Sequence, residues 1–295
     1  MVAIVCLCAG LAACGGQDQG RDPRAPVPAA RVVLSAADQD VWAPGPARRA
    51  AVPVLVFRDV DAAAFARQMA LLAHAGYKTI TLETLVRFVG RDEVGLPARP
   101  VLLTFDGGRL ASWAATDAVL RERHFGAVLF VDVGPVEEGD PAYLTWDEID
   151  RLERGGRWDV QLQSGTGNRR IRYGPAPGDV GSFNAYRGTE EVLGGWRERV
   201  FSDISYGEDQ LAHHVRSYEP LAFAPPFGNY GQAGTNDPRI PRLLLRRLLL
   251  SFDVIFTQDR GAVAAPGSDN PLGRYEVTRG TEEAQLLRFL GSRSR

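Results

Sequence analysis

Asp106 closes a short apolar run, Val101-Leu102-Leu103-Thr104-Phe105, and two glycines, Gly107 and Gly108, follow it. A carboxylate in that position can take a proton, help hold a cation or cap a turn. A run this short and this apolar reads as a buried strand. Strand tips are where α/β folds place their chemistry, while an acid before two glycines also suits a plain turn. Few other side chains can join it. The three cysteines, Cys6, Cys8 and Cys14, sit at the N-terminus. Of the four histidines, His74 lies near the end of a helical pattern and His124 just before a strand-like run, where solvated or capping roles suit them. His213 and His214 are adjacent, and adjacent helical residues do not face the same way, so they do not form a chelate.

The elements that must position Asp106 alternate between strand and helix. Val52–Phe57 reads as the first strand. Helical spacing over Ala62–Ala75 puts Phe65, Met69 and Leu72 on one face and ends at Gly76, a C′ glycine. Lys78–Thr81 is a short strand and Leu82–Val89 a short helix. After the Asp106 strand come a helix, Leu110–Arg123, and a buried strand, Ala127–Val131. Thr145 and Glu148 fit a capping box opening a helix that stops at Gly155-Gly156. Trp158–Gln163 is the next strand. A long Gly-rich loop, Ser164 to about Thr189, leads to a helix from Glu190 to about Val215. Leu221–Ala224 runs into Pro225-Pro226-Phe227-Gly228. Pro241–Leu250 is a very apolar helix, Val254–Thr257 and Tyr275–Thr278 are strands, and Glu282–Leu290 is a terminal helix. Such alternation implies parallel pairing through right-handed crossovers. Roughly seven such units favour an α/β barrel over an open sheet. No glycine fingerprint for a dinucleotide and no phosphate-loop pattern is present. Trp113, Trp146, Trp158 and Trp196 read as core.

The chain has 295 residues, 45% hydrophobic and 24% charged, with a net charge of −2. That suits one large domain or two small ones with ample core. The balance, with no long basic run, gives no footing for a nucleic-acid partner. No apolar stretch reaches the roughly 18 residues that span a bilayer. Met1–Ala13 is apolar and small, and Leu11-Ala12-Ala13-Cys14 resembles a bacterial lipobox, in which the cysteine is lipidated after cleavage. The Lys or Arg that normally precedes such a run is missing, as expected if translation starts further upstream. On this reading residues 1–14 are a signal segment, 15–51 a tether rich in Ala, Pro, Arg and Asp, and 52–295 the folded domain. A lipidated Cys14 ties the protein to a membrane face without spanning it. The remaining body then has neither a disulfide nor a thiolate metal site.

Taken together, several stretches resemble the polysaccharide deacetylase family, the NodB-type carbohydrate esterases, and most closely the envelope branch that includes poly-N-acetylglucosamine deacetylases. The stretches are Val52-Pro53-Val54-Leu55-Val56-Phe57-Arg58, Pro100 to Gly108, Leu144-Thr145-Trp146-Asp147-Glu148-Ile149, Trp158 to Ser164, and Phe223-Ala224-Pro225-Pro226-Phe227-Gly228-Asn229-Tyr230-Gly231. Their order covers Val52 to Leu290. The resemblance implies an irregular (β/α) barrel, an envelope polysaccharide as partner, and metal-assisted removal of N-acetyl groups, commonly with zinc. It implies Asp106 as the general base. It implies that Arg58, Pro226, Phe227 and Tyr230 line the sugar groove, with a backbone N–H in the Pro-rich segment helping to hold the oxyanion.

This sequence departs from that pattern at every metal ligand. Gly107 stands for the ligand Asp, Gln163 for the first His, and Gly167 or Asn168 for the second. Arg58 replaces the histidine of the opening motif and can pair with Asp106. Amide oxygens are feeble ligands for zinc. No cofactor is therefore expected, with zinc or another divalent metal only if other residues rebuild the site. The loop bearing Arg169, Arg170, Arg172, Tyr173, Phe183, Tyr186 and Arg187 is either solvated or a rim that meets an anionic or polymeric glycan. Two functions remain: a hydrolase with an atypical metal site, or an inactive relative that binds glycan or a partner through the groove. The loss of the ligands favours the second.

Overall fold

The computed structural model describes residues 51–259 and 261–291. The lipobox reading, Cys14 and nearly all of the tether lie outside the described residues. The chain runs β1 (Val52–Phe57), α1 (Ala62–His74), β2 (Lys78–Thr79), α2 (Leu82–Val89), β3 (Pro100–Gly107), α3 (Leu110–Arg123), β4 (Ala127–Asp132) and a short α4 (Val133–Glu137). It continues with α5 (Trp146–Arg154), β5 (Trp158–Ser164), β6 (Arg170–Arg172), β7 (Val180–Ser182), α6 (Leu193–His214), β8 (Ala222–Phe223) and a 3-10 turn, Pro226–Gly228. The last elements are α7 (Ile240–Leu248), β9 (Val254–Thr257), β10 (Val263–Ala264), β11 (Leu272–Gly273), β12 (Tyr275–Val277) and α8 (Glu283–Gly291).

The main sheet has the order β10-β1-β3-β4-β5-β8-β9-β11, with β2 on β3 and β12 on β1. Apart from β10, which is antiparallel to β1, its pairings are parallel. β11 pairs with β9 and β12 pairs with β1, and only Arg274 separates the two strands. One continuous segment therefore laces the two sheet edges together, and the sheet is a nearly closed barrel.

Strand alternation sorts the side chains into two layers. Leu55, Phe57, Leu103, Phe105, Leu129, Val131, Val160 and Leu162 face outward and pack against the helices. Val52, Val54, Leu102, Val128, Phe130, Ala222, Val254 and Phe256 fill the barrel, whose N-terminal end is plugged by Leu82, Leu85 and Phe88 of α2. Phe57, Phe65, Phe105 and Trp158 form a chain of ring contacts at 5.1–5.7 Å in the outer layer. By the same parity Thr104, Asp106, Asp132, Gln163 and Arg274 point into the barrel, near the C-terminal ends of its strands.

The local signals behave as their chemistry dictates. Thr145 and Glu148 close the capping box on α5, and Gly76 follows α1 with φ +78°. Trp158 and Trp196 are buried, whereas Trp113 and Trp146 are half-buried against the core. The segment read as a long loop differs: β6 and β7 form an antiparallel hairpin within it. Strands of three residues are too short to show periodicity. Among the described residues, no helix is long and apolar enough to cross a membrane.

Candidate functional site

Asp106 sits on the inner face of β3, one residue before the strand ends, and is 9% exposed. Arg274 reaches it from the seam between β11 and β12. Arg274 Nη1 donates to Asp106 Oδ1 at 2.7 Å and Nη2 to Oδ2 at 2.9 Å, a two-pronged pair with the arginine side chain fully buried. Arg274 Nη1 also reaches Thr104 Oγ1 at 3.2 Å, and the guanidinium lies over Phe130 and Phe256, 5.4 and 5.8 Å from the ring centres. Arg58, just past the end of β1, adds a longer contact from Nε to Asp106 Oδ2 at 3.4 Å and leans toward Glu276 at 3.6 Å. Three of the roughly four acceptor positions of the carboxylate are thus filled by guanidinium donors. Planar, charge-assisted pairing of this kind fixes a carboxylate in place.

Gly107 and Gly108 follow with φ of +101° and +77°, a backbone that L side chains rarely adopt. A Cβ at Gly107 would meet only Arg109 Cγ, at 3.9 Å. The glycine there is required by backbone shape, since there is room for a side chain.

On β5, Gln163 is buried and its Oε1 accepts from Asn168 Nδ2 at 3.4 Å. A Cβ on Gly167 would lie 2.8 Å from both Asp203 Oδ2 and Phe183 Cδ1. Of the two candidates for the second position, only Asn168 turns toward Gln163. Asp203, on α6, holds this loop by accepting from the Thr166 backbone N–H at 2.6 Å, Thr166 Oγ1 at 2.9 Å and the Gly165 N–H at 3.2 Å.

Asp132, at the inward tip of β4, is a second buried carboxylate that sequence reading ended one residue short of. Ser164 Oγ donates to its Oδ1 at 2.7 Å. Burial pushes its carboxyl up to about 6, against the opposing pull of hydrogen bonds from Ser164 and Asn168.

These residues do not fit a catalytic zinc. Gly107 offers no donor atom, Asp106 is held by two arginines, and the Gln163 and Asn168 amides bond each other. Among the described residues, no group of three or more His, Cys, Asp or Glu is placed to hold a metal. The histidines lie elsewhere: His74 ends α1 and His124 caps α3, and His214 stacks on Trp146 with ring centres 4.5 Å apart and lies 3.5 Å from Glu137.

The Pro-rich segment forms the wall beyond Gln163. Pro226 is buried and lines one small cavity together with Gln163, Ser164, Gly167 and Asn184. Asn184 Nδ2 donates to the Asn229 carbonyl at 2.9 Å, which pins this wall to the loop after β7. Phe227, at φ +60°, is turned out and 41% exposed, with the Arg170 guanidinium 5.0 Å above its ring. Tyr230, three residues further on, is half-buried and borders Pro241 and Leu245 of α7. The loop after β5 thus meets the Pro-rich segment at the barrel mouth through Arg170 and Phe227. Arg169 and Arg199 instead flank the buried Phe183, at 4.6 and 4.3 Å. Tyr173 and Tyr186 stack on each other at 4.8 Å.

At the opposite end of the barrel, Glu153 and Asp159 line a cavity with Glu83 and Glu219. Burial pushes Glu153 up to about 7 and Asp159 up to about 6. A carboxylate that titrates higher folded than unfolded binds more protons in the fold, so its contribution is present at low pH and lost as pH rises through the folded value. Asp159→Asn is therefore expected to raise the melting temperature at pH above about 7, with the difference from wild type vanishing below about pH 4. A lower melting temperature for the variant above pH 7 would contradict the burial of this group.

Neither a scan against family models nor a search of curated proteins returns a match. Solved structures do match. A de-N-acetylase from Aggregatibacter actinomycetemcomitans superposes with a TM-score of 0.70 at 16% identity, over 81% of this chain and 100% of that one. IcaB from Ammonifex degensii gives 0.63 at 22%, over 84% and 98%. A polysaccharide deacetylase from Bacillus cereus gives 0.56 at 18%, over 82% and 69%. The chain has the polysaccharide deacetylase fold. The irregular (β/α) barrel expected from the sequence is the one observed, and Asp106 lies at the mouth of that deacetylase-type barrel.

Proposed function

We propose that this deacetylase-fold protein holds an envelope polysaccharide in the groove at the barrel mouth without deacetylating it. The observation that carries the reading is the state of Asp106. A general base for a metal-bound water needs a metal beside it, and here the neighbours are Arg274, Arg58 and Gly107. The amide pair Gln163–Asn168 stands where ligands would be needed. On this account Arg58, Pro226, Phe227 and Tyr230 serve the groove rather than a reaction, and Phe227 with Arg170 forms its exposed aromatic platform. The lipobox-like Leu11–Cys14 supports attachment outside the cytoplasm through a lipidated Cys14. The one observation favouring the other reading, a hydrolase with an atypical site, is Asp132, whose carboxyl titrates in the range useful for proton transfer.

Calorimetry with poly-N-acetylglucosamine oligomers tests the binding reading. Wild type is expected to bind with an affinity unchanged by chelator. Phe227→Ala is expected to bind about tenfold more weakly, the loss of one aromatic contact of about 1.4 kcal/mol. Binding abolished by chelator, or acetate released during titration, would refute it.

A further inference from the structure

α7 carries a second apolar face that the groove does not use. Ile240, Leu244 and Leu248 form its inner ridge, each 0–1% exposed. One residue further along, Pro241, Leu245 and Leu249 repeat at the same four-residue spacing, and Arg242, Arg246 and Leu250 form the ridge beside them. Leu249 is 43% exposed and Leu250 79%, among the largest exposures of any big apolar side chain described. Together with Tyr230 these residues line one shallow depression along the outside of the helix. Residues four apart stack on one helical face, so the outer stripe runs for about 13 Å.

Its charge has a single sign. From Pro238 to Phe252 the chain contains four arginines and no acid. Arg247 is committed to Glu208 at 2.8 Å and Arg239 to Asp237 at 2.6 Å. Arg242 and Arg246 are exposed and enter no ion pair among the described residues. Leucines flanked by arginines whose apolar stems lie along the same face are what a helix lying in an anionic lipid interface presents. We propose that the outer face of α7 and the turn that follows it, from Pro241 to Leu250, docks on an anionic membrane surface. The proposal rests on α7 alone and stands or falls separately from glycan binding.

The test uses the full chain carrying Cys14→Ala, so that no acyl chain contributes, in flotation with vesicles of phosphatidylcholine alone or mixed with phosphatidylglycerol. The chain is expected to partition onto the anionic vesicles and far less onto the neutral ones. Arg242→Gln/Arg246→Gln is expected to lower partition onto anionic vesicles by about fivefold per arginine, roughly 25-fold for the pair. Leu249→Ser/Leu250→Ser is expected to lower it by about tenfold or more. All four side chains are exposed, so the melting temperatures should match wild type. Partition that ignores lipid charge, or that is unchanged in both variants, would overturn the proposal. So would absent vesicle binding with the leucine pair instead disrupting self-association in sedimentation, since the face would then dock protein.

Discussion

Arg274→Met is expected to destabilise the protein by about 3–5 kcal/mol, because it leaves the Asp106 carboxylate buried without its two-pronged partner. The arginine side chain is fully buried and the Asp106 side chain 4% exposed, so water cannot take over the lost bonds. The remaining contact, from Arg58 at 3.4 Å, is too long to replace two bonds of 2.7 and 2.9 Å. Removing both charges together is a different matter. Arg274→Met/Asp106→Leu puts apolar groups against Phe130 and Phe256, and such replacements of a buried ion pair are often neutral. The double variant should recover most of the lost stability, read as the urea midpoint at constant slope. A single-variant loss below about 1 kcal/mol would show that the pair is not the closed, dry contact described. Recovery of stability also frees Asp106 from any obligatory role in folding, so its chemistry can be tested alone.

Gln163→His/Asn168→His, with and without Gly107→Asp, is expected to raise zinc affinity by on the order of a hundredfold or more. The reason lies in the present geometry. Gln163 and Asn168 already face each other across 3.4 Å, so imidazoles there would share one ion. Gly107 adds a complication that the sequence does not reveal. Its φ of +101° would strain an aspartate by about 1–3 kcal/mol, although the space for the side chain is open. The two-histidine variant should therefore gain metal without that backbone strain, and the triple variant should gain more at a measurable further loss of stability. No gain in either, by equilibrium dialysis, would mean that these positions do not surround a metal-sized space.

Much of this was legible in the sequence because buried strands write their parity into apolar runs. Val101–Phe105 and Ala127–Val131 announce strands, and Thr104 to Asp106 tells which face carries the acid. The order of the short motifs was enough to point to the barrel. Arg274 was not legible. The strand that bears it is broken into β11 and β12 at the seam, so a lone arginine between Gly273 and Tyr275 looks like a turn residue. Its signal is topological: only closure of the sheet brings position 274 to position 106. Asp132 could have been found, since it extends the inward parity of Val128 and Phe130 by one step. The choice between Gly167 and Asn168 depended on sterics with Phe183 and Asp203, which lie 16 and 36 residues further along the chain and meet Gly167 only in the fold.

The most direct test of the account joins metal content to turnover. The full chain is purified in zinc-containing buffer, its zinc is measured, and it is assayed for acetate release from poly-N-acetylglucosamine oligomers beside Asp106→Asn. The account predicts zinc far below one per chain and no acetate release above background from either protein. Stoichiometric zinc, with acetate release by wild type that is lost in Asp106→Asn, would contradict it and make Asp106 a working base.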